Sequence, residues 1–209
     1  MVKRTHASQT RHGLGTRLYT PRLLVRPPAE DHGAAIGRAL RRNLAHLARV
    51  SPTVPPSLVD VARRVAVERR EFTRGTAYAF YAFSRPDPTE PESRPEDVPE
   101  VLAKVVLNGV HRGAMQGAYL GYWVDKSREG QGLAFEAVQA VIEFAMEDAM
   151  LHRLQAAIQP WNGRSIALVG RLGFRHEGLA RRYLDVDGAW QDHAIYALTT
   201  EDWFYSRRP

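Results

Sequence analysis

One stretch constrains this chain more than any other: Tyr119 to Ala134, YLGYWVDKSREGQGLA. It opens on Tyr119, Leu120, Tyr122, Trp123 and Val124, aromatic and branched bulk that suits a strand. A charged turn, Asp125-Lys126-Ser127-Arg128, breaks the run. Gly130, Gly132 and Ala134 follow at alternate positions. Leu133, Ala137, Val138, Val141, Ile142, Ala145 and Met146 then recur at helical spacing, which predicts a helix over about 132–150. A strand that passes through small residues into a helix start presents amides with no intrahelical partner, at the positive end of the helix dipole. Glycine there lets a phosphate reach the backbone, because no Cβ intervenes.

Three phosphate motifs compete for this turn. A dinucleotide fingerprint, G-x-G-x-x-G, fails at its last position, where Phe135 stands. A P-loop needs G-K-[ST], which is absent. The third is the acetyl-CoA motif of the GNAT acyltransferase superfamily, Q/R-x-x-G-x-G/A. Glu129-Gly130-Gln131-Gly132-Leu133-Ala134 resembles it at the last two fixed positions. Glu129 departs from the usual Gln or Arg, although Arg128 is adjacent. The plain alternative is a glycine-rich turn before an ordinary helix.

The downstream sequence favours the third motif. His152 to Ile158 reads as a strand. Pro160-Trp161-Asn162-Gly163-Arg164-Ser165 and a short helix follow, then Leu172-Gly173-Phe174-Arg175-His176-Glu177-Gly178. Tyr183-Leu184-Asp185-Val186-Asp187-Gly188-Ala189-Trp190-Gln191-Asp192-His193 completes the series. This order, P-x-N-x-x-S, L-G-F-x-x-E-G and Y-L-x-x-D-G-x-W-x-D-H, resembles the RimJ/RimL family of protein N-terminal acetyltransferases, most of all its RimJ-type, ribosomal-protein-alanine branch. The likeness is dense from about Tyr119 to Trp203 and thin before it. It implies a GNAT fold of the α/β (α+β) class. Its sheet would be mixed and mostly antiparallel, with about seven strands, splayed at the acetyl-CoA site and flanked by about four helices. It also implies acetyl-CoA as donor and a protein N-terminal amine as acceptor, such as the alanine of a ribosomal protein.

Composition bounds the alternatives. At 209 residues and 44% apolar content the chain can bury a core of its own. It has no cysteine, so a disulfide, a cysteine–zinc site or a cysteine nucleophile is excluded. No apolar run approaches a membrane span, and the N-terminal region has no apolar signal core, so a cytoplasmic protein is expected. H-E-x-x-H is absent, and no metal is expected. The formal net charge of +6 suits acidic partners: CoA phosphates, or weak contact with rRNA or the ribosome. A monomer or a homodimer is compatible with all of this.

The remaining elements are read in order. Residues 1–16 carry Lys3, Arg4, His6, Arg11 and His12 without an acid, a basic tail expected to be flexible. Residues 17–209 are expected to form one acetyltransferase domain. Arg17 to Arg26 reads as the first strand, with Pro21 marking an edge. A helix is predicted from about His32 to Leu47, and another from Leu58 to Arg74, capped by Ser57 and ended by Gly75. Thr76 to Phe83 and Val101 to Val110 read as strands, separated by a proline-rich acidic loop over 84–99. Asn162 caps a short helix and Gly173 ends it. Two last strands, near Arg181 to Val186 and Trp190 to Leu198, join through Asp187-Gly188, a hairpin signal.

Transfer of an acyl group from a thioester to an amine needs reactants held in place, an oxyanion stabilised and protons moved. The resemblance implies that the Tyr119–Val124 strand splays from its neighbour and leaves an amide free, around Trp123 or Val124, as the candidate oxyanion donor. The turn from Asp125 through Arg128 to Ala134, with the amides of Glu129, Gly130, Gln131, Gly132, Leu133 and Ala134, is the candidate diphosphate site. The resemblance places Asn162 against the pantetheine arm and Ser165 near the sulfur as proton donor, with Tyr183 the alternative donor. RimL-like relatives carry a glutamate base just before the Tyr-Leu pair; here that position is Arg182. Glu177, Asp185 and Asp192 remain as candidate bases, Glu177 foremost, while His111, His152, His176 and His193 read as structural. Gly163-Arg164-Ser165 lacks the second glycine of a serine elbow. Two other readings stay open: an acetyltransferase for a small amine or antibiotic, and a ribosome-assembly or RNA-binding factor with a vestigial CoA site.

Overall fold

The computed structural model describes residues 13–50, 60–85 and 100–205. Leu18–Tyr19 (β1) and Leu23–Arg26 (β2) form a short hairpin. Helices α1 (Gly33–Val50) and α2 (Val61–Arg74) follow. Next come β3 (Tyr78–Ser84), β4 (Val101–His111) and β5 (Gly117–Val124). Helix α3 (Leu133–Glu143) continues through Phe144–Asp148 in wider π-helical turns. The chain ends with β6 (Arg153–Ile158), α4 (Gly163–Arg171), β7 (Arg175–Val186), β8 (Ala189–Thr199) and α5 (Thr200–Tyr205).

Among the described residues these strands make one sheet in the order β1-β2-β3-β4-β5-β6-β8-β7. Only the β5–β6 pair is parallel, as a helical crossover through α3 requires. The mixed, mostly antiparallel α/β architecture is the expected one. The sheet has eight strands rather than about seven, and five helices rather than about four. The predicted first strand is folded back on itself. Pro21 has no N–H to give a ladder, and the Thr20 hydroxyl takes the Leu23 amide at 2.8 Å, closing a turn between β1 and β2. The extra helix is α5, built from the closing Glu201–Phe204 segment. Strand β7 begins at Arg175, directly after the Gly173 turn, earlier than the pattern indicates. Helix α2 starts under Asp60, whose side chain accepts from the Arg63 amide at 2.8 Å. Ser57, Leu58, residues 1–12 of the basic tail and residues 86–99 of the acidic loop lie outside the described residues.

Two apolar clusters hold the sheet. The larger joins Ala137, Val138, Val141 and Ile142 of α3 to Leu107, Leu120, Leu154 and Leu198 of four strands. Phe72, Tyr78, Phe80 and Phe144 meet edge-on within it, at 4.9–5.3 Å between centroids; each such pair adds about 0.5–1.5 kcal/mol beyond area burial. The smaller cluster packs Ile36, Leu40 and Leu47 of α1 and Val65 of α2 on Tyr81, Phe83 and Val101. Strand alternation sorts β5 between them. Trp123 packs on the α1 cluster, and Tyr122 and Val124 pack on the α3 cluster.

The turn after β5 is pinned to α1 by a buried carboxylate. Asp125, 1% exposed, accepts from Arg42 Nε at 2.7 Å, Asn43 Nδ2 at 2.9 Å, and Ser127 N and Oγ at 3.0 and 2.6 Å. Asn43 Oδ1 in turn takes the Lys126 amide at 2.8 Å. Burial alone would raise the Asp125 pKa, but these donors outweigh it and hold the group at about 2. A carboxylate depressed from 3.8 to about 2 stabilises the fold above its unfolded pKa, and that share is lost as pH falls from about 4 to about 2. Asp125→Asn is therefore expected to lower stability by about 2 kcal/mol at neutral pH. The wild type and the variant should converge toward pH 2, read from denaturant unfolding curves across that range. Equal pH dependence in both proteins would exclude this role.

Candidate functional site

The site is an opening in the sheet. Strand β5 stays paired with β4 up to Val124, opposite Ala103. It pairs with β6 only from Gly117↔Arg153 to Tyr119↔Gln155. From Leu120 onward β5 and β6 diverge, because β6 keeps its own partner, β8, as far as Ile158↔Ala194. The Asp125 amide donates to the Leu102 carbonyl at 2.8 Å. Antiparallel ladders alternate, so the Trp123 amide also faces β4, while the amides of Tyr122 and Val124 face the opening. Of the two expected oxyanion donors, Val124 has the free direction and Trp123 does not.

A cleft of about 1230 Å³ runs through this opening. On the α3–α4 side it is lined by Tyr122, Val124, Leu133, Phe135, Ser165 and Leu168; on the α1–α2 side by Leu47, Glu68, Lys104, Tyr119, Tyr183 and His193. Arg128, Glu129, Gly130, Gly132 and Ala134 border it at the turn into α3, and Asn162 at the start of α4.

The turn has the geometry of an anion cradle. Gly130 and Gly132 sit at φ 76° and 78°, conformations that favour glycine, and a Cβ on Gly130 would meet nothing within 4 Å. The first helical amide to bond back is that of Glu136, to the Gly132 carbonyl at 3.1 Å. Among the described residues nothing accepts from the amides of Gly130 to Ala134. Leu133 is buried and fixes the helix start, while the Gln131 side chain points away, to the Ser127 carbonyl at 3.5 Å. The Gln131 carbonyl is held by Arg22 at 2.9 Å.

Two acids in this turn do different work. Asp125 has its carboxylate saturated by protein donors and does not line the cleft, so its part is to hold the turn in place. Glu129, where the motif has Gln or Arg, sits in a cage of cations: Arg164 Nη1 at 2.5 Å, Lys126 Nζ at 2.7 Å and His46 Nε2 at 3.4 Å. Burial pushes Glu129 up, but Lys126, His46 and Arg164 more than offset it and its pKa is lowered. Arg128 is half-exposed and pairs with Glu100 at 3.3 Å.

Asn162 caps α4 through its Oδ1, which accepts the Ser165 amide at 3.2 Å. The Ser165 hydroxyl lies 2.9 Å from the Tyr122 hydroxyl. Burial pushes the Tyr122 phenol up to about 12, so it stays protonated. Tyr122 was legible only as strand bulk; its use depends on α4 meeting β5, which no local pattern encodes. Tyr183 reaches the cleft because β7 bulges between Ala180 and Leu184, with Arg182 at φ 46°. Glu177 does not reach it. It lies near the far end of β7, bonded to Arg153 and 3.6 Å from Arg175, and the Arg153 hydrogen bonds lower its pKa. Asp185 and Asp192 do not line the cleft either; the Asp192 carboxylate accepts from the Arg182 amide at 2.8 Å. His193, read as structural, does line it. So does a group of Arg64, Glu68 and Lys104, which no local pattern singles out because Lys104 comes from β4 and the other two from α2.

Comparison with known proteins agrees with this geometry. The [Ribosomal protein uS5]-alanine N-acetyltransferase of Escherichia coli K12 is 47% identical over 85 residues, which is 41% of this chain. The chain spans 44% of that relative's own length. Among solved structures, the RimJ of Mycobacterium smegmatis in complex with CoA-disulfide is 31% identical, with a TM-score of 0.74 over 86% of this chain and 83% of that one. The ribosomal-protein-S5-alanine acetyltransferase of Vibrio fischeri shares the fold, with a TM-score of 0.79 at 23% identity, over 93% of this chain and 100% of that one. The model of the acetyltransferase (GNAT) domain matches residues 22–175. That span is well over half of the sequence, and the chain belongs to the GNAT acetyltransferase family.

Proposed function

We propose that this chain moves an acetyl group from acetyl-CoA to the α-amine of a protein N-terminus, with the alanine of a ribosomal protein as the leading acceptor. The observation that carries the reading is the opening between β5 and β6. It joins an amide-lined turn on one side of the sheet to a polar wall on the other. The RimJ-type relatives support the choice of acceptor.

Each part of the reaction has a residue to serve it. The amides of Gly130 to Ala134 and the dipole of α3 hold the diphosphate, with Arg128, Lys126 and Arg164 adding charge. Asn162 keeps α4 at the pantetheine arm. The thioester carbonyl lies over the diverging half of β5, where the Val124 amide receives the developing oxyanion; one such donor is worth about 3–4 kcal/mol. Ser165 supplies a proton to the departing thiolate, replenished by the Tyr122 hydroxyl behind it. Tyr183 stands on the acceptor side, where it positions the incoming amine.

Protein mixed with acetyl-CoA and a panel of N-terminal peptides is expected to release free CoA, fastest with alanine first, and to leave N-acetylated peptides behind. Turnover of free amines but of no peptide would move the acceptor to a small molecule. Tyr122→Phe should lower kcat on the order of 10²-fold while leaving CoA affinity unchanged, since the relay acts only as the thiolate leaves. A kcat equal to wild type would remove Tyr122 from the relay. Glu129→Gln releases its caged cations for the diphosphate. CoA is expected to bind roughly fivefold tighter, a gain of about 1 kcal/mol, and calorimetry should show that gain fading as salt rises. Weaker binding would place the glutamate among the groups that help CoA.

A further inference from the structure

The acceptor side of the cleft needs a group that can take a proton, and most of the candidate carboxylates are spoken for; Glu71 lines the cleft with its charge beside Lys104. Arg182 stands where a glutamate base would be sought. Glu177 is paired with Arg153, and Asp192 with the Arg182 amide. Glu68 lines the cleft but already accepts from Lys104 at 2.5 Å, Tyr81 at 2.9 Å and Arg64 at 3.0 Å.

His193 is in a different state. It lies on β8 next to Ala194, which makes the last register pair with β6, so it stands at the mouth of the opening. Even-numbered Tyr196 and Leu198 pack on the α3 cluster; by alternation His193 faces the α1–α2 side, with Lys104 and Tyr119. The residue is 2% exposed, and its ring meets Tyr183 nearly edge-on at 6.1 Å. Its Nδ1 lies 3.0 Å from the Gln191 carbonyl. A carbonyl only accepts, so Nδ1 carries the hydrogen, and in the neutral form of the ring Nε2 then has a bare lone pair. Among the described residues no protein group meets Nε2. The ring lines the cleft.

We propose that His193 Nε2 is the base that takes a proton from the acceptor's α-ammonium, an assignment that rests on the N-terminal acetyl-transfer reading. Nε2 removes one proton from the ammonium. The neutral nitrogen attacks the thioester carbon, and the C–N bond forms. The C–S bond then breaks, the thiolate takes its proton from Ser165, and the nitrogen's second proton returns through Tyr122 to Ser165. The imidazolium gives its proton to water. Ammonium and thioester thus become amide, thiol and one released proton. The Gln191 carbonyl holds the ring in the orientation that aims Nε2 at the amine.

His193→Asn keeps an N–H near the Nδ1 position and removes Nε2. It is expected to lower kcat on the order of 10²–10⁴-fold with peptide acceptors, with CoA affinity and melting temperature unchanged. Imidazole added to His193→Ala should restore turnover as its free-base concentration rises. Wild-type turnover in His193→Asn, or a loss that follows a drop in CoA affinity or melting temperature without imidazole rescue, overturns the assignment. Independently of any variant, nitrogen NMR of histidine-labelled wild type is expected to show the Nδ1–H tautomer, with the Nε2 signal moving when CoA and an alanine peptide are added together. An Nε2–H tautomer or an unmoved signal also overturns it. If the wild type acetylates no peptide, the acceptor reading fails, and the nitrogen spectrum, recorded with whichever amine is turned over or with CoA alone, decides for His193 separately.

Discussion

The site depends on a strand that is fully bonded on one edge and abandoned on the other. Strand β5 cannot drift, because β4 holds it to Val124 and the Asp125 amide adds one more bond to Leu102. Strand β6 cannot follow it, because β8 holds that strand to Ile158. The parallel seam between them therefore ends after Tyr119↔Gln155. Unpaired backbone in a protein interior normally costs free energy. Here it faces a cleft, where amides with no protein acceptor are available to a substrate oxygen. The opening is a consequence of two good ladders that diverge, and no loop has to move to create it.

Electrostatics at the turn follow from which acids are shut in. Asp125 is buried with four donors and so behaves as part of the scaffold, locking α1 to the end of β5. Glu129 is one turn further on, at the cleft, and its three cations come from three different elements. Those cations can reorganise around an incoming diphosphate, because Arg164 and Lys126 are exposed and their chains are long. The chain thus carries an internal anion close to where an external one is to bind, and this replaces the neutral or basic residue that the motif prefers.

Much of this was legible in the sequence, and the reason is local. Gly130, Gly132, Gly173 and the Asp187-Gly188 pair mark backbone conformations that few other residues adopt, and the structure puts all five at positive φ. Asn162 announces a helix start and caps one. The alternation of β5 and the apolar stripe of α3 fix strand, crossover and parallel pairing together. What escaped notice depends on contacts between distant elements. Arg17 to Arg26 has strand composition, and Pro21 with the Thr20–Leu23 hydrogen bonds turns it back on itself. Tyr122 gains its role from Ser165, 43 positions away. Glu177 looks like a free acid until Arg153 is seen beside it. His193 looks like a solitary histidine until the Gln191 carbonyl fixes its tautomer.

The wall opposite the turn bears on which amines can be accepted. Burial pushes Lys104 down and Glu68 pulls it back, while Lys104 and Arg64 more than offset the burial that would raise Glu68; Tyr81 is pushed up by burial and stays a donor. Such a pair adds little net stability, but it leaves no carboxylate oxygen for a newcomer. With Glu71 beside it, the wall sets two acids against two cations. An ammonium entering here loses water and gains no net counter-charge, so the cleft favours its loss of a proton, the step given to His193. An α-amine titrates near pH 8, whereas a lysine side chain titrates near 10.4. Delivering a neutral lysine at pH 7 would cost more than two further pH units of deprotonation, roughly 3 kcal/mol. On the proposed reading, a balanced wall with a base beside it would favour chain termini over the far more numerous lysines, without any pocket that reads the difference.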